Sequence, residues 1–513
     1  MEEGLLSIWC TSSARDTLRL SVTGSRIFLP QGPLRVGSAP GCIRTIIRSP
    51  DLGPFLSDIH SLARSRQIGW AVGSAGSTTI LYVLNVILMF YMVTALGLDP
   101  ILAGSFMLAG RVYDAAVDLL VGQGSDATRS RWGRRRPWMA AGALLSTCGM
   151  ALLFSGAGRA EAGGQLVLMI ALLATFTGYS AFSIPSSAMP AEVTRSPEVR
   201  TGMMAWRTFF IQVASLAGGA LAPAMIAWGG SSPSAFALMG YAMAAFILVT
   251  MGTAVVATAG FPEGDLAARA QRVPLALRVR TALAGFVPLF ANRPFLVLLG
   301  VKFCGFIGAA ALGATGLFFM RDILGRGEAG MAQFALASGI VGTLSVPAWR
   351  ALARLGSKPT VCASALLLAC LTSASWLFAA PDESLVLFLA RGALAGFAST
   401  GTLLMTLSML PDAISWGVER SGKRQEGLYA AFFEFFQKAA FAIAPFLVGL
   451  ILQTSGYRAG AVAMQSDSAL AAVRFSMALI PALAQAIGLV LILLFYDLPS
   501  RSEDALERAG AVL

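Results

Sequence analysis

Gly110-Arg111-Val112-Tyr113-Asp114-Ala115-Ala116-Val117-Asp118 lies inside a long apolar run from about Pro100 to Val121. Its three ionisable side chains fall at i, i+3 and i+7, so a helix places Arg111, Asp114 and Asp118 on one face. At membrane depth each such group costs about 2.5–3.5 kcal/mol even on the lenient insertion scale. Groups of this kind persist by facing a bundle interior or a watery cavity, where they mark an ion or substrate path. The structural alternative is a buried Arg111–Asp114 salt bridge that only pins the helix. That alternative leaves Asp118 over as a second carboxylate.

Composition sets the class around this stretch. The 513 residues are 56% hydrophobic and only 13% charged, with a mean hydropathy of +0.70, whereas a soluble domain carries about 25% charged residues. The chain therefore reads as an all-α polytopic membrane protein whose apolar surface faces lipid. A net charge of +11 raises nucleic acid as a partner. The positions argue against it, because the basic residues cluster in short loops between apolar runs, as the positive-inside rule expects.

From Trp70 onward, apolar runs long enough to cross ~30 Å of hydrocarbon repeat along the chain. They cover 70–96, 100–122, 137–157, 165–187, 202–228 and 234–259, then 294–320, 328–349, 359–380, 384–410, 427–454 and 471–497. This predicts twelve transmembrane helices in two six-helix halves, 67–260 and 293–497, joined by a connector over 261–292 and followed by a tail over 498–513. Loops after the even-numbered spans carry most of the Arg and Lys, which places both termini on the cytoplasmic side of the plasma (inner) membrane. Residues 1–66 are rich in Ser, Arg, Pro and Gly without a spanning run, and the expectation there is a disordered extension. Six cysteines without ligand spacing predict no disulfide framework. The sole histidine, His60, lies outside the apolar spans, which argues against a membrane-embedded His-metal site; no metal is expected except Na⁺ at Asp114 and Asp118. No Walker A pattern is present.

Several blocks together carry a family resemblance. Gly110–Asp118 is followed by Asp126-Ala127-Thr128-Arg129-Ser130-Arg131-Trp132-Gly133-Arg134-Arg135-Arg136-Pro137-Trp138. Further on come Ile184-Pro185 with Met189-Pro190-Ala191-Glu192-Val193-Thr194 and Arg200-Thr201, then Trp206-Arg207, Pro411-Asp412, Gly422-Lys423-Arg424-Gln425-Glu426-Gly427 and Lys438. In this order, over about 67–497, the chain resembles the melibiose-carrier family, the glycoside–pentoside–hexuronide:cation symporters of the major facilitator superfamily. Pro411-Asp412 and the following block resemble that family's tenth loop and eleventh helix. The resemblance implies a major facilitator fold in which two halves rock about a midplane site.

It also implies roles. Asp114 and Asp118 would bind the coupling cation and Lys438 would pair with them from the other half, so that cation binding releases the lysine. The bland account of Lys438 is a self-neutralised i, i+4 pair with Glu434. Arg207 lies several residues into the fifth span, too deep for routine snorkelling, and its guanidinium can donate several hydrogen bonds to a hydroxylated or anionic solute. Candidate solute contacts are Arg207, Tyr179, Glu434 and Gln437. Gate candidates are Arg111, Arg129, Arg131, Arg134, Glu192, Asp412 and Arg424, with the arginines pairing acids such as Glu192 or Asp126. Lys302 and Arg391 are expected to snorkel to an interface.

Departures from the family matter too. Ser77 and Thr78 stand where the melibiose carrier has charged residues, Ser183 and Ser187 replace an aspartate and an aromatic, and Val117 replaces an asparagine between the helix-two aspartates. A hard cation wants several oxygen ligands, whereas a proton needs one buried carboxylate, so the substitutions favour H⁺ over Na⁺ as the coupling ion. No other cofactor is expected. The expected partners are a small organic solute of the sugar or glycoside type and the lipid bilayer, with no obligate protein partner. A lysophospholipid cargo on the same fold is the first alternative. A polytopic membrane enzyme is the second, opposed by the absence of a His or Cys/His/Asp cluster in the spans.

Overall fold

The computed structural model describes residues 21–23, 26–28, 63–156, 163–194, 196–259, 261, 290, 292–421, 426–460 and 464–496. The chain divides into two units, Met1–Ala63 and Arg64–Leu513. In the first, Ser21–Thr23 (β1) pairs antiparallel with Arg26–Phe28 (β2), Val22 opposite Ile27. Of the extension expected over 1–66, residues 64–66 open the first helix and most of the rest lies outside the described residues, as do nearly all of the connector expected over 261–292 and the tail expected over 498–513.

The second unit contains twelve helical passages among the described residues. The first half comprises α1 (Arg64–Val86, resuming at Leu88–Phe90 and a π turn, Tyr91–Ala95), α2 (Pro100–Ala127), α3 (Arg136–Phe154) and α4 (Gly164–Val193). It is completed by α5 (Pro197–Leu216, a π turn at Ala217–Leu221, then Ala222–Trp228) and α6 (Pro233–Ala257). The second half comprises α7 (Arg293–Asp322), α8 (Gly327–Leu355), α9 (Lys358–Ser375) and α10 (Leu385–Ser421). Last come α11 (Glu426–Thr454) and α12 (Asp467–Arg474, a π turn at Phe475–Leu479, then Ile480–Phe495).

Local sequence explains many of the starts. Ser196, Ser232, Asn292, Ser357 and Ser466 each accept the amide three residues on, closing one of the orphan donors of a new helix. Proline follows within the first two positions of four of these helices, where its missing N–H is no loss. Among the described residues ten helices are long and apolar enough to cross a membrane, and bent α1 makes an eleventh. The exception is α2, whose apolar character is diluted by Arg111, Asp114 and Asp118. At about 1.5 Å per residue, several helices are longer than the ~30 Å of a hydrocarbon core. As a result Pro411 and Asp412, expected in the tenth loop, lie inside the 37-residue α10. Proline there removes one intrahelical bond without ending the helix.

The two halves repeat one packing scheme. In the first, α3 lies on α4 and α6, and α1 on α5 and α6; in the second, α9 lies on α10 and α12, and α7 on α11 and α12. Across the halves α2 meets α11, α5 meets α8 and α1 meets α7. Large apolar side chains such as Leu144, Ile170, Val249, Leu344 and Leu493 point outward, as lipid contact requires.

At one end the halves are in direct contact. A Cβ at Gly104 would sit 2.9 Å from both the Phe446 Cα and the Pro445 oxygen, and one at Gly449 would strike the Pro100 carbonyl. Ser231 donates to Glu328 at 2.6 Å, the Gly460 amide to the Val93 oxygen at 3.0 Å, and Phe90 packs edge-on to Phe318 at 5.1 Å. Arg321 lies over the Phe90 ring and donates to the Tyr457 hydroxyl at 2.8 Å, which in turn donates to Asp322 at 2.6 Å. Burial, together with the Asp322 charge, pushes the Tyr457 phenol up, so it remains a donor there.

This closure predicts an asymmetry between two glycines. Gly449→Ala drives α11 off Pro100 and is expected to lower stability by about 1–3 kcal/mol. Gly252→Ala, with open space around it in α6, is expected to be neutral or stabilising. Thermal unfolding of the purified variants checks the pair.

Candidate functional site

The charged face of α2 is built where α4 and α11 pack against it. Gly110 lets α4 come close, since a Cβ there would meet the Phe176 ring at 2.7 Å. Asp114 is fully buried. Its Oδ1 accepts from Ser180 Oγ of α4 at 2.8 Å, and its Oδ2 accepts from Lys438 Nζ of α11 at 3.0 Å. Lys438 also donates to Asp118 Oδ2. Asp118 Oδ1 is buried and accepts no hydrogen bond among the described residues. Lys438 therefore carries the ion pairs that link the two halves among the described residues, and Asp118 offers one unsatisfied oxygen beside them.

Arg111 makes no ion pair with Asp114 in the described structure. It is 6% exposed, donates to Asn85 Oδ1 of α1 at 2.8 Å, and lies 5.0 Å from the Phe176 ring and 5.8 Å from the Phe441 ring. It is held between α1, α4 and α11 and pairs with no carboxylate among the described residues. Both aspartates remain within its electrostatic reach. Two fixed negative charges thus face one wedged cation and one on a flexible four-carbon stem.

Tyr179, on α4, feels Asp114, Asp118, Lys438 and Arg111. Arg207, half-buried on α5, feels Tyr179 and makes no ion pair or hydrogen bond among the described residues. Gln437 is half-buried next to Lys438. Glu434 does not neutralise Lys438 within α11. Its carboxylate is 68% exposed and accepts from Lys302 Nζ of α7 at 3.1 Å.

Two snorkelling expectations are corrected here. Lys302 is 6% exposed and sits 3.7 Å over the Phe433 ring. Arg391 is 8% exposed, pairs with Glu383 and lies 5.3 Å from the Trp376 ring. In both cases a carboxylate and an aromatic face together satisfy the cation.

The Arg-rich loop after α2 folds back on its own half. Glu192 Oε1 accepts from Arg134 at 2.5 Å and Arg135 at 2.7 Å, and Arg135 also pairs with Asp126 at 2.7 Å. In the other half Asp412 pairs with Lys358 at 2.6 Å. Arg129 and Arg131 are exposed and make no ion pair among the described residues, and Arg424 lies outside them. Among the described residues, then, no gate candidate bridges the halves at this end.

Of the departures, Val117 packs with Val121, Ala181, Trp138 and Ile184 in an apolar seam below the aspartates. It supplies no ligand. Sequence reading missed Ser180, Asn85, Phe176 and Phe441, because single serines, asparagines and phenylalanines in apolar helices carry no spacing signal. One test follows from Ser180: Ser180→Ala leaves Asp114 Oδ1 buried without its donor. It is expected to cost about 1–3 kcal/mol of stability and to change the response of the melting temperature to Na⁺ or pH.

The comparisons fit this geometry. Residues 69–500 match the family described as MFS/sugar transport protein. A glucuronide carrier protein homolog of Escherichia coli is 26% identical, over 85% of this chain and 92% of the relative. An uncharacterized symporter of Synechocystis is 25% identical over 84% and 93%, and the isoprimeverose transporter of Lactiplantibacillus pentosus is 24% identical over 80% and 83%. Among solved structures, the nucleoside transporter NupG superposes with a TM-score of 0.57 at 14% identity, over 84% of this chain and 98% of that one, a likeness of fold alone. With twelve helices among the described residues, in two repeated halves, and the match spanning most of its length, the chain belongs to the MFS/sugar transport protein family.

Proposed function

We propose that this protein is a cation-coupled symporter of a sugar or glycoside, working by alternating access. One observation carries the reading: Lys438, in the second half, reaches across to both Asp114 and Asp118 in the first. A cation arriving at the aspartates competes with that ammonium, so ion occupancy alters a link between the halves. The closed end and the self-contained ion pairs of the opposite end suit a cleft that opens one way at a time. Relatives named as a glucuronide carrier homolog and an isoprimeverose transporter support a sugar-like cargo. Arg207, Tyr179, Gln437 and Glu434 are the proposed solute contacts, offering a guanidinium, a phenol, an amide and a carboxylate to hydroxyl groups.

The coupling ion is proposed to be H⁺. Among the described residues the hydrogen bonds at the two aspartates come from Lys438 and Ser180, and Val117 packs into an apolar seam and supplies no oxygen. That shell suits a proton better than Na⁺. The membrane is proposed to be the bacterial inner membrane with both termini cytoplasmic, following the Arg-rich loops.

Counterflow in proteoliposomes with sugars, hexuronides and lysolipids, with and without Na⁺ and with imposed pH gradients, tests cargo and ion together. Sugar uptake driven by an inward proton gradient is the expected result, and exchange confined to lysolipids overturns the cargo. Asp118→Asn is expected to abolish concentrative uptake while sparing exchange. Equal loss of both modes makes Asp118 structural.

A further inference from the structure

The Lys302–Glu434 pair lies one helical turn from the coupling lysine, and Glu434, proposed above as a solute contact, has no part in the cation step described there. Glu434 and Lys438 are four residues apart on α11, one turn from each other along the helix surface. Glu434 is held from behind by Lys302, whose ammonium also rests 3.7 Å over Phe433 and 5.5 Å from Phe306. Lys302 is thereby compensated twice, and much of the Glu434 side chain remains exposed. At the aspartates, the charges of Asp114 and Asp118 are balanced by Lys438 and Arg111. An added cation makes that cluster net positive unless one of the two leaves. Arg111 is wedged between Asn85, Phe176 and Phe441, whereas Lys438 is 28% exposed on a flexible stem.

We propose that Glu434 is the alternate seat of Lys438: when a cation occupies Asp114 and Asp118, the ammonium swings one turn along α11 to Glu434, which Lys302 holds in position. This rests on the symporter reading and deepens it. The swing moves a positive charge from a cross-half contact to a contact within the second half, so cation loading unties α11 from α2. Tyr179, which also faces Lys438 from α4, stays with the aspartates.

Lys302 competes with Lys438 for the seat, so the two partners of one ion pair have opposite effects. In purified full-length protein in nanodiscs, cation affinity is read from the midpoint of the melting-temperature shift, by titrating Na⁺ in choline buffer and, separately, pH without Na⁺. Lys302→Gln is expected to tighten cation binding about two- to fivefold, and Glu434→Gln to weaken it by a similar factor. Through-space charge effects have the same signs. The deciding arm is therefore a Lys438→Gln background, in which both effects should vanish. Persistence of either effect there, or shifts of the same sign in the single variants, overturns the proposal. If Lys302→Gln does not fold, Lys302→Met replaces it; if neither folds, an unchanged affinity in Glu434→Gln overturns it alone. A wild type with no cation-dependent shift, or one that survives Asp114→Asn and Asp118→Asn, defeats the underlying symporter reading instead.

Discussion

One ammonium shared between two carboxylates of the opposite half is the interaction on which the rest of the structure depends. Away from water, removing one partner of such a cluster leaves an uncompensated charge, typically at 3–5 kcal/mol. The neighbours of Lys438, Asp114 and Asp118 accordingly serve to hold the cluster in place. Gly104 and Gly449 let α2 and α11 touch, Gly110 admits α4, and Ser180 occupies the Asp114 oxygen that Lys438 does not use. Buried ion pairs contribute little net stability, so their use here is better understood as a register between two bodies than as glue.

The two ends of the bundle are held differently. Where α1, α5, α7 and α11 finish, Gly460 reaches Val93, Ser231 reaches Glu328 and aromatic rings interlock across the divide. At the Arg-rich end, Glu192 gathers Arg134 and Arg135, and Lys358 holds Asp412, each within its own half. Closure by packing at one mouth and self-satisfied charge at the other leaves the mid-depth lysine as the ion pair linking the halves among the described residues. A rocking motion needs a link that can be made and broken, and charge competition supplies one without repacking a core.

Cations elsewhere in the second half follow a common solution. Lys302 over Phe433 and Arg391 beside Trp376 are each given a carboxylate and a ring face, which together replace the water they have left. A sequence reading that treats each cation alone sends it to the interface. The partners lie 132 residues away in the case of Lys302 and Glu434, a distance no local pattern spans.

What the chain determines by itself is the set of helices and the face of α2 that must be hidden. Apolar length decides the spans, Ser, Asn and Pro mark several of their starts, and the i, i+3, i+7 spacing puts Arg111, Asp114 and Asp118 together whatever surrounds them. Only the tertiary structure decides which charges meet. Arg111 turns to Asn85 and two rings instead of Asp114, Glu434 turns to Lys302 instead of Lys438, and Pro411 stays within α10. The physical reason is that helical periodicity is a local property of backbone hydrogen bonding. The partner of a buried charge is instead chosen by competition among all groups that packing brings within a few ångströms.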